Sequence, residues 1–296
     1  MSDPVSMSFA SPPSPWLAYP KMLLSQRPPL VPQGREVPLI EARMSGLRTR
    51  RQHLADYRRV CGFAADGNLP LTFPHVLTAP LHMAILTHDA FPVRVLGLVH
   101  VRNEIASHRP LAEDEALDAH CRLQGHRATE RGQEFDLVID LSAANTVVWS
   151  ETSTFLARQR TSRGSGDGAK PAARRAAEDI PSAVQTTSWH ADADIGRRYA
   201  MVSGDFNFIH LSDVTAKLFG FNHAIAHGMW SLARTAAELR PRLTADAYRL
   251  AVGFKLPIFL PSWVNLQSWE NRSGLGFALR DAQGEKPHMT GTLERL

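Results

Sequence analysis

Cysteine is scarce in this chain, which contains only Cys61 and Cys121 and no Cys-x-x-Cys pair. That scarcity argues against a disulfide framework or a structural zinc site and fits the reducing cytoplasm. No run approaches the roughly 18 consecutive apolar residues that a membrane-spanning helix needs. The N-terminus also lacks a basic stretch followed by an apolar run, so we expect no signal peptide. These absences predict a cytoplasmic globular protein.

A strong charge of either sign is also lacking, because the formal net charge is only +4 over 296 residues. The mild, dispersed excess does not indicate nucleic-acid binding. It would suit an acidic partner or a phosphorylated substrate, and ordinary surface charge explains it equally well. The length allows one large domain or two modules of about 150 residues each.

A small, polar segment divides the chain near its middle. Residues 161–178 are rich in Gly, Ala and charged residues, which is typical of a linker. We therefore expect an N-terminal module over 21–160 and a C-terminal module over 179–296. The Pro- and Ser-rich residues 1–20 are predicted to be poorly ordered. The charged residues 35–60 carry spaced apolar positions and are predicted to be helical at least in part.

The two modules match at three places along the sequence. The matching segments are Tyr57-x3-Cys61-Gly62 with Tyr199-x3-Ser203-Gly204, Pro74-His75-Val76-Leu77 with Ala226-His227-Gly228-Met229, and Val101-Arg102 with Phe254-Lys255. The constant order predicts a duplicated unit. The offset jumps by about ten residues between the first two matches, so the first copy lacks a segment that the second carries between Asp205 and Gly220.

The C-terminal module has the pattern of one helix followed by strands. Residues 226–239 repeat apolar side chains at helical spacing, whereas 249–256, 262–270 and 274–280 are predicted strands separated by turn residues. A long helix that buries its apolar stripe on an antiparallel sheet gives an α+β fold.

The residues that can carry chemistry concentrate between 199 and 230. Asp205 and His210 lie five residues apart, and a carboxylate and an imidazole that share one water molecule make a plausible acid–base pair. Gly228 begins the predicted helix, where unpaired N–H groups and a partial positive charge suit a developing oxyanion. Taken alone, the Asp–His spacing is a weak signal, and a structural histidine or a glycine that only relieves crowding remains possible at these places.

The whole segment resembles the MaoC-like, hydratase-2 family of double hot-dog proteins. The matching residues are Tyr199, Ser203-Gly204-Asp205, Asn207, Ile209-His210, Ala216, Gly220-Phe221 and Ile225-Ala226-His227-Gly228-Met229. The resemblance implies two repeats, each with a long helix wrapped by a curved antiparallel sheet. It implies reversible dehydration of (3R)-hydroxyacyl thioesters to trans-2-enoyl thioesters, on coenzyme A or acyl carrier protein. No metal or redox cofactor is expected, and a homodimer is a possible assembly.

By the same resemblance, Asp205 and His210 are the catalytic pair and Gly228 supplies the oxyanion-hole N–H. Ser203 and Asn207 are supporting candidates, although simple turn or cap roles account for them equally well. The family usually has Pro where this chain has Phe208, so the loop is expected to be less rigid.

The N-terminal module is expected to be a degenerate repeat. Phe63 stands at the place of Asp205, and Asn68 and His75 do not form a substitute pair, so one active site is expected. By resemblance this module shapes an acyl pocket, for which Leu81 and Ile85 are candidates, with core packing as the alternative. Arg102 and Lys255 are candidate contacts for substrate phosphates, or else ordinary surface cations.

Two other functions remain open from the sequence. A thioesterase on the same fold would place its water near the thioester carbonyl, and it would release free thiol. A non-catalytic acyl-binding subunit of a larger synthase would show no turnover alone. The retention of both Asp205 and His210 favours the dehydratase.

Overall fold

The computed structural model describes residues 4–14, 18–159 and 184–296, so the predicted linker at 161–178 lies outside the described residues. The strands in these ranges are β1 (Val5–Phe9), β2 (Ile40–Leu47), β3 (Leu98–Ser107), β4 (Leu117–Thr129), β5 (Gly132–Ala143), β6 (Thr146–Arg158), β7 (Gln185–Ala191), β8 (Tyr248–Phe254), β9 (Ser262–Glu270), β10 (Gly274–Asp281) and β11 (Pro287–Arg295). The helices are α1 (Ala18–Leu23), α2 (Arg51–Cys61), α3 (Phe73–Thr87), α4 (Ile195–Ser203), α5 (Asp213–Leu218) and α6 (Gly228–Leu239).

All of these strands belong to one sheet, in which the same arrangement occurs twice. The order is β1-β2-β4-β5-β6-β3-β8-β11-β10-β9-β7. From its own edge inward, the second half runs β7-β9-β10-β11-β8, which repeats β2-β4-β5-β6-β3 strand for strand. The halves join where β3 pairs with β8 antiparallel, with Arg102 opposite Gly253. The predicted double hot-dog fold is confirmed.

Each half packs one longer helix on its sheet because the helix carries an apolar stripe. The stripe of α6 is buried, as the spacing predicts, at Met229, Leu232, Ala233, Ala236 and Leu239. In the first half, α3 packs on β2 and β4. The strands predicted at 249–256, 262–270 and 274–280 are β8, β9 and β10. None of the described helices combines the length and apolar character needed to span a bilayer.

The expectation of a poorly ordered N-terminus is wrong for part of residues 1–20. Val5–Phe9 forms β1, which pairs in parallel with Ile40–Met44 of β2, and α1 begins at Ala18. Edge strand β2 offers unpaired backbone N–H and C=O groups, and β1 satisfies them. The apolar residues of β1, Val5, Met7 and Phe9, alternate with serines and pack against the core.

The segment 35–60 is helical only in its last third. Residues 51–61 form α2, as predicted in part, but Ile40–Leu47 is strand β2. Its buried positions Ile40, Ala42 and Met44 alternate with more exposed residues. That two-residue period is typical of a strand with one face on the core.

Candidate active site

The catalytic candidates lie on the connection that differs most between the two halves. Residues 62–72 link α2 to α3, whereas residues 204–227 link α4 to α6 and carry a 3₁₀ turn and α5 as well. This longer connection contains Asp205 and His210. The first copy lacks a segment of about ten residues, as the jump in offset predicts. The second copy keeps that segment, and it holds the candidate site.

Asp205 lies directly beyond the end of α4. Gly204 takes a left-handed conformation there, with φ of +75°, and its N–H donates to the Ala200 carbonyl. The Ser203 hydroxyl oxygen accepts the Asp205 N–H at 3.2 Å, and Asp205 Oδ1 accepts the Asn207 N–H at 3.1 Å. Ser203 and Asn207 therefore have the local turn contacts that the sequence allowed as the alternative to a direct catalytic role.

His210 ends the 3₁₀ turn and is oriented by one backbone bond. Its Nδ1–H donates to the Ile225 carbonyl at 2.7 Å, and the residue is buried. Because Nδ1 carries the proton, the lone pair of the neutral ring is on Nε2. Gly196 makes this position possible, since a Cβ there would lie 1.9 Å from the His210 carbonyl oxygen. No motif in the sequence pointed to Gly196.

His227 contacts both Asp205 and His210. Its ring stacks on His210 with centroids 3.7 Å apart, and its Nε2–H donates to the Asp205 carbonyl oxygen at 3.0 Å. The same nitrogen is 3.8 Å from Asp205 Oδ2. His227 therefore supports the site directly, whereas the exposed His223 contacts Asp213 instead.

The electrostatics make both Asp205 and His210 proton acceptors. Burial, followed by the neighbouring His227, lowers the pKa of His210, so its imidazole is neutral. Burial acts to raise the pKa of Asp205, but His227 and then His210 lower it below its usual value. The Asp205 side chain is 53% exposed, so its carboxylate is open to solvent, and one of its oxygens lies within 4.8 Å of a ring nitrogen of His210.

Asp205, His210 and His227 offer three ligand atoms within 4.8 Å of one another, a spacing that a metal ion can use. Two of the ring nitrogens, His210 Nδ1 and His227 Nε2, already donate to backbone carbonyls. His227 Nδ1 is buried without a hydrogen-bond partner in the described part of the chain. The atoms left toward the open side, His210 Nε2 and the Asp205 carboxylate, suit a water molecule or a hydroxyl group better than a three-ligand metal site.

Gly228 is the first residue of α6, as predicted, and its N–H lies in the first turn. A Cβ at Gly228 would lie 3.0 Å from the Phe254 ring. The immediate reason for glycine is thus the close approach of β8 to the helix start. A side chain at this position would disturb the Phe254 packing as well as any ligand.

The candidate pocket residues and the candidate phosphate contacts have different surroundings in the structure. Leu81 and Ile85 are 2% and 0% exposed and belong to the hydrophobic core, and neither lines the two cavities described below. Arg102 makes a two-pronged ion pair with Glu134, so its guanidinium is already engaged. Lys255 is exposed, without an ion pair among the described residues. Phe208 stacks on Phe219, with ring centroids 6.1 Å apart.

Two cavities of the described structure lie near the two long helices, and neither is lined by Asp205 or His210. One of about 480 Å³ borders Ser203 and Gly204, which precede Asp205, and is lined on α3 by Val76, Ala79, Pro80 and Met83. The other, of about 260 Å³, lies between the halves and is lined by Phe63, Trp149, Ala236 and Tyr248, among others. The face of α3 that borders a cavity beside the catalytic loop is therefore different from the Leu81 and Ile85 face.

Tyr19 contacts the catalytic loop on both sides of Asp205, which the sequence gave no sign of. Its hydroxyl donates to the Gly204 carbonyl and accepts the Phe206 N–H, both at 2.6 Å. Burial, with the Phe206 bond opposing it, raises the pKa of Tyr19 to about 12, so the hydroxyl stays protonated. Helix α1 thus helps to hold the peptide groups on both sides of Asp205.

A neutral imidazole and a carboxylate beside a helix N-terminus, on a double hot-dog fold, define an acid–base enzyme. Comparison with known proteins agrees. Residues 175–292 match the family model described as MaoC like domain. The chain is 36% identical over 268 residues to 3-hydroxyacyl-thioester dehydratase X of Mycobacterium tuberculosis, covering 90% of this chain and 94% of that protein.

Solved structures give the same result. A crystal structure of HtdX from Mycobacterium tuberculosis has a TM-score of 0.73 and 33% identity, covering 86% of this chain and 100% of that one. A MaoC-like dehydratase from Phytophthora capsici has a TM-score of 0.69 and covers 86% of this chain and 95% of its own, and at 17% identity it supports the fold alone. The chain belongs to the family of MaoC-like dehydratases and is a hydro-lyase.

Proposed function

We propose that this chain catalyses the reversible dehydration of (3R)-hydroxyacyl thioesters to trans-2-enoyl thioesters, carried on coenzyme A or acyl carrier protein. The observation that carries the proposal is the pair of open acceptors, His210 Nε2 and the Asp205 carboxylate, beside the start of α6. Dehydration removes a weakly acidic Cα proton, and a base at this place is what the step requires.

Gly228, His210 and Asp205 each have a separate role in the proposed dehydration. The Gly228 N–H at the positive end of α6 holds the thioester oxygen while negative charge develops on it. His210 Nε2 takes the Cα proton as the C3–O bond breaks. Asp205 holds the 3-hydroxyl group, or the attacking water in the reverse direction. The scheme uses no metal or redox cofactor.

Replacing either acceptor tests the assignment. Asp205→Asn and His210→Ala should each lower kcat/KM by about 10²- to 10⁴-fold, because each removes an acid–base group. Groups that act as a unit are not additive, so the double variant should be little worse than either single one. The measurement is the change in the enoyl-thioester absorbance band with crotonyl-CoA.

His223→Ala is the matched control, since this histidine is exposed on the same connection and contacts Asp213. Its activity should equal that of the wild type. Single Asp205 or His210 variants that fold, by circular dichroism, and keep more than half of the wild-type kcat/KM would refute the site. Release of free thiol from acyl-CoA in the same reactions would identify a thioesterase instead, and no turnover by the purified chain would favour an acyl-binding subunit.

Two further expectations remain proposals. Cys61 and Cys121 are both free and buried, which supports the proposed cytoplasmic location. Sedimentation analysis of the purified chain tests the proposed homodimer.

A further inference from the structure

The end of α4, directly before Asp205, is held open by two residues from distant parts of the chain. If the helix continued for one more turn, the Phe206 N–H would donate to the Val202 carbonyl. The Phe206 N–H donates to the Tyr19 hydroxyl instead, at 2.6 Å. The Val202 carbonyl accepts the Nε2–H of His53, also at 2.6 Å. Asp205 lies inside this opened turn, so the two bonds together determine where the chain carries it.

His53 belongs to the first half, in the first turn of α2, 149 residues from Val202 along the chain. A carbonyl oxygen can only accept, so Nε2 of His53 carries the proton. Val202 is buried, and its carbonyl is one of the last four of α4, which have no donor within the helix. The His53 ring packs edge-on against Phe73, the first residue of α3, with ring centroids 5.3 Å apart. It also lines the cavity of about 480 Å³ together with Ser203 and Gly204.

The corresponding helix end in the first half has a different donor. In the match between the two repeats, Val60 of α2 stands at the place of Val202. The Val60 carbonyl accepts the Nε1–H of Trp230 at 3.1 Å. The second half has Ile195 at the place of His53, and an isoleucine side chain cannot donate. The imidazole donor is thus specific to the helix end that leads into the candidate site.

We infer that His53 is a positioning residue, which holds the end of α4 so that the Asp205 carboxylate lies beside His210; the inference rests on the proposed dehydratase function. The bond from Nε2–H fixes the Val202 peptide group, three residues before Asp205. Without this donor, the buried Val202 carbonyl has to turn toward water, because an unpaired buried carbonyl is costly, and the peptide groups that follow turn with it. A misplaced carboxylate slows the reaction without weakening thioester binding, so kcat falls while KM is kept.

Two polar substitutions separate the hydrogen-bond donor from the other contacts of the ring. Glutamine can place an amide N–H near the position of Nε2, whereas the asparagine side chain is one methylene shorter and does not reach the Val202 carbonyl. In the hydration of crotonyl-CoA, His53→Asn should lower kcat about 10- to 100-fold with KM nearly unchanged, and His53→Gln should keep kcat within about threefold of the wild type. Arg51→Gln, at an exposed position of the same helix turn, is the control and should match the wild type.

The Asp205→Asn background shows whether His53 acts through Asp205. In that background His53→Asn should change the residual kcat by less than about twofold, because residues that act as a unit are not additive. A role limited to stability would give the same loss in both backgrounds, and that result would overturn the inference. A folded His53→Asn variant with wild-type kcat, or a His53→Gln variant as slow as His53→Asn, would also overturn it.

His53→Leu takes the place of His53→Asn if circular dichroism shows that the asparagine variant does not fold, and the same loss of kcat is expected. Failure of the wild type to hydrate crotonyl-CoA would instead refute the proposed function.

Discussion

One hydrogen bond decides which nitrogen of His210 is free to act as the base that we propose. The bond from Nδ1–H to the Ile225 carbonyl leaves the lone pair on Nε2, and the stacked His227 ring prevents the imidazole from turning. Burial keeps the ring neutral. Position, tautomer and charge are thus set before any substrate arrives, which is the preorganisation that acid–base catalysis requires.

The buried His82 predicts an acid-sensitive fold. Burial, then the neighbouring His75, lowers the pKa of His82 to about 3, from 6.5. The unfolded chain therefore takes up a proton near pH 6.5 that the folded chain refuses, so stability is complete above this pH and is lost as the pH falls below it. Between pH 7 and pH 5 the loss is about 2 kcal/mol for this one group.

Urea unfolding of the wild type and of His82→Gln at both pH values measures this contribution. Glutamine can still bond to Thr78, which His82 Nε2 contacts at 3.1 Å, but it does not titrate. The variant should lose about 2 kcal/mol less than the wild type between pH 7 and pH 5. Equal losses in the two proteins would show that His82 does not control the acid sensitivity.

The contacts of the site that the sequence predicts are those close together along the chain. Asp205 and His210 are five residues apart, and local turn geometry brings their side chains to the same opening. His227 reaches the Asp205 carbonyl across 22 residues, and Tyr19 reaches the Gly204 carbonyl across 185 residues. Pairings of this kind depend on strand order and on helix docking, which no local pattern of residue types specifies.

The short helix α1 connects an otherwise peripheral arm to the catalytic loop. Tyr19 bonds to the peptide groups on both sides of Asp205, and its ring packs edge-on to Phe206 at 6.1 Å. Two hydrogen bonds at 2.6 Å that flank Asp205 restrict where its carboxylate points. We therefore expect Tyr19 to act as a positioning residue.

Tyr19→Phe should lower kcat roughly three- to tenfold, because each hydrogen bond that is lost is worth about 0.5–1.5 kcal/mol. KM should change little, since the ring still packs, and the thermal unfolding midpoint should fall by only a few degrees. Lys21→Ala, on an exposed position of the same helix, is the control and should match the wild type. A Tyr19→Phe variant with normal kcat would mean that the loop holds its shape without α1.

The elements were predictable where periodicity was strong. The apolar spacing of 226–239 gave α6 to within two residues, and the three strands predicted after it are present. By contrast β1 was missed although Val5, Met7 and Phe9 alternate with serines, because this short alternation lies inside a Pro- and Ser-rich stretch whose composition is typical of disorder. Strand β2 was also missed in the charged segment 35–60, because only every second residue of the strand is buried.

The two halves share one strand order but have diverged in the connection before the long helix. The second half uses its longer connection to carry Asp205 and His210, while α3 of the first half borders the cavity of about 480 Å³ beside the catalytic loop. Pro80, inside α3, has no N–H to offer the Val76 carbonyl, and both residues line this cavity. Val76, Ala79, Pro80 and Met83 form an apolar wall of this cavity, and we predict that this wall receives the acyl chain.

If that cavity receives the acyl tail, activity should depend on chain length. Each methylene removed from water contributes about 0.8 kcal/mol, so kcat/KM should rise from C4 to medium or long enoyl thioesters. Because Leu81 and Ile85 are core residues, the variant that tests the tunnel is Ala79→Trp, which fills the cavity from its half-buried wall. It should penalise long chains and leave crotonyl-CoA nearly unaffected.

Ala237→Phe fills the cavity of about 260 Å³ between the halves and is the matched comparison. A selective loss of long chains in Ala237→Phe instead would place the tail between the halves, and a wild-type profile that peaks at C4 and collapses beyond C6 would mean that neither cavity holds it.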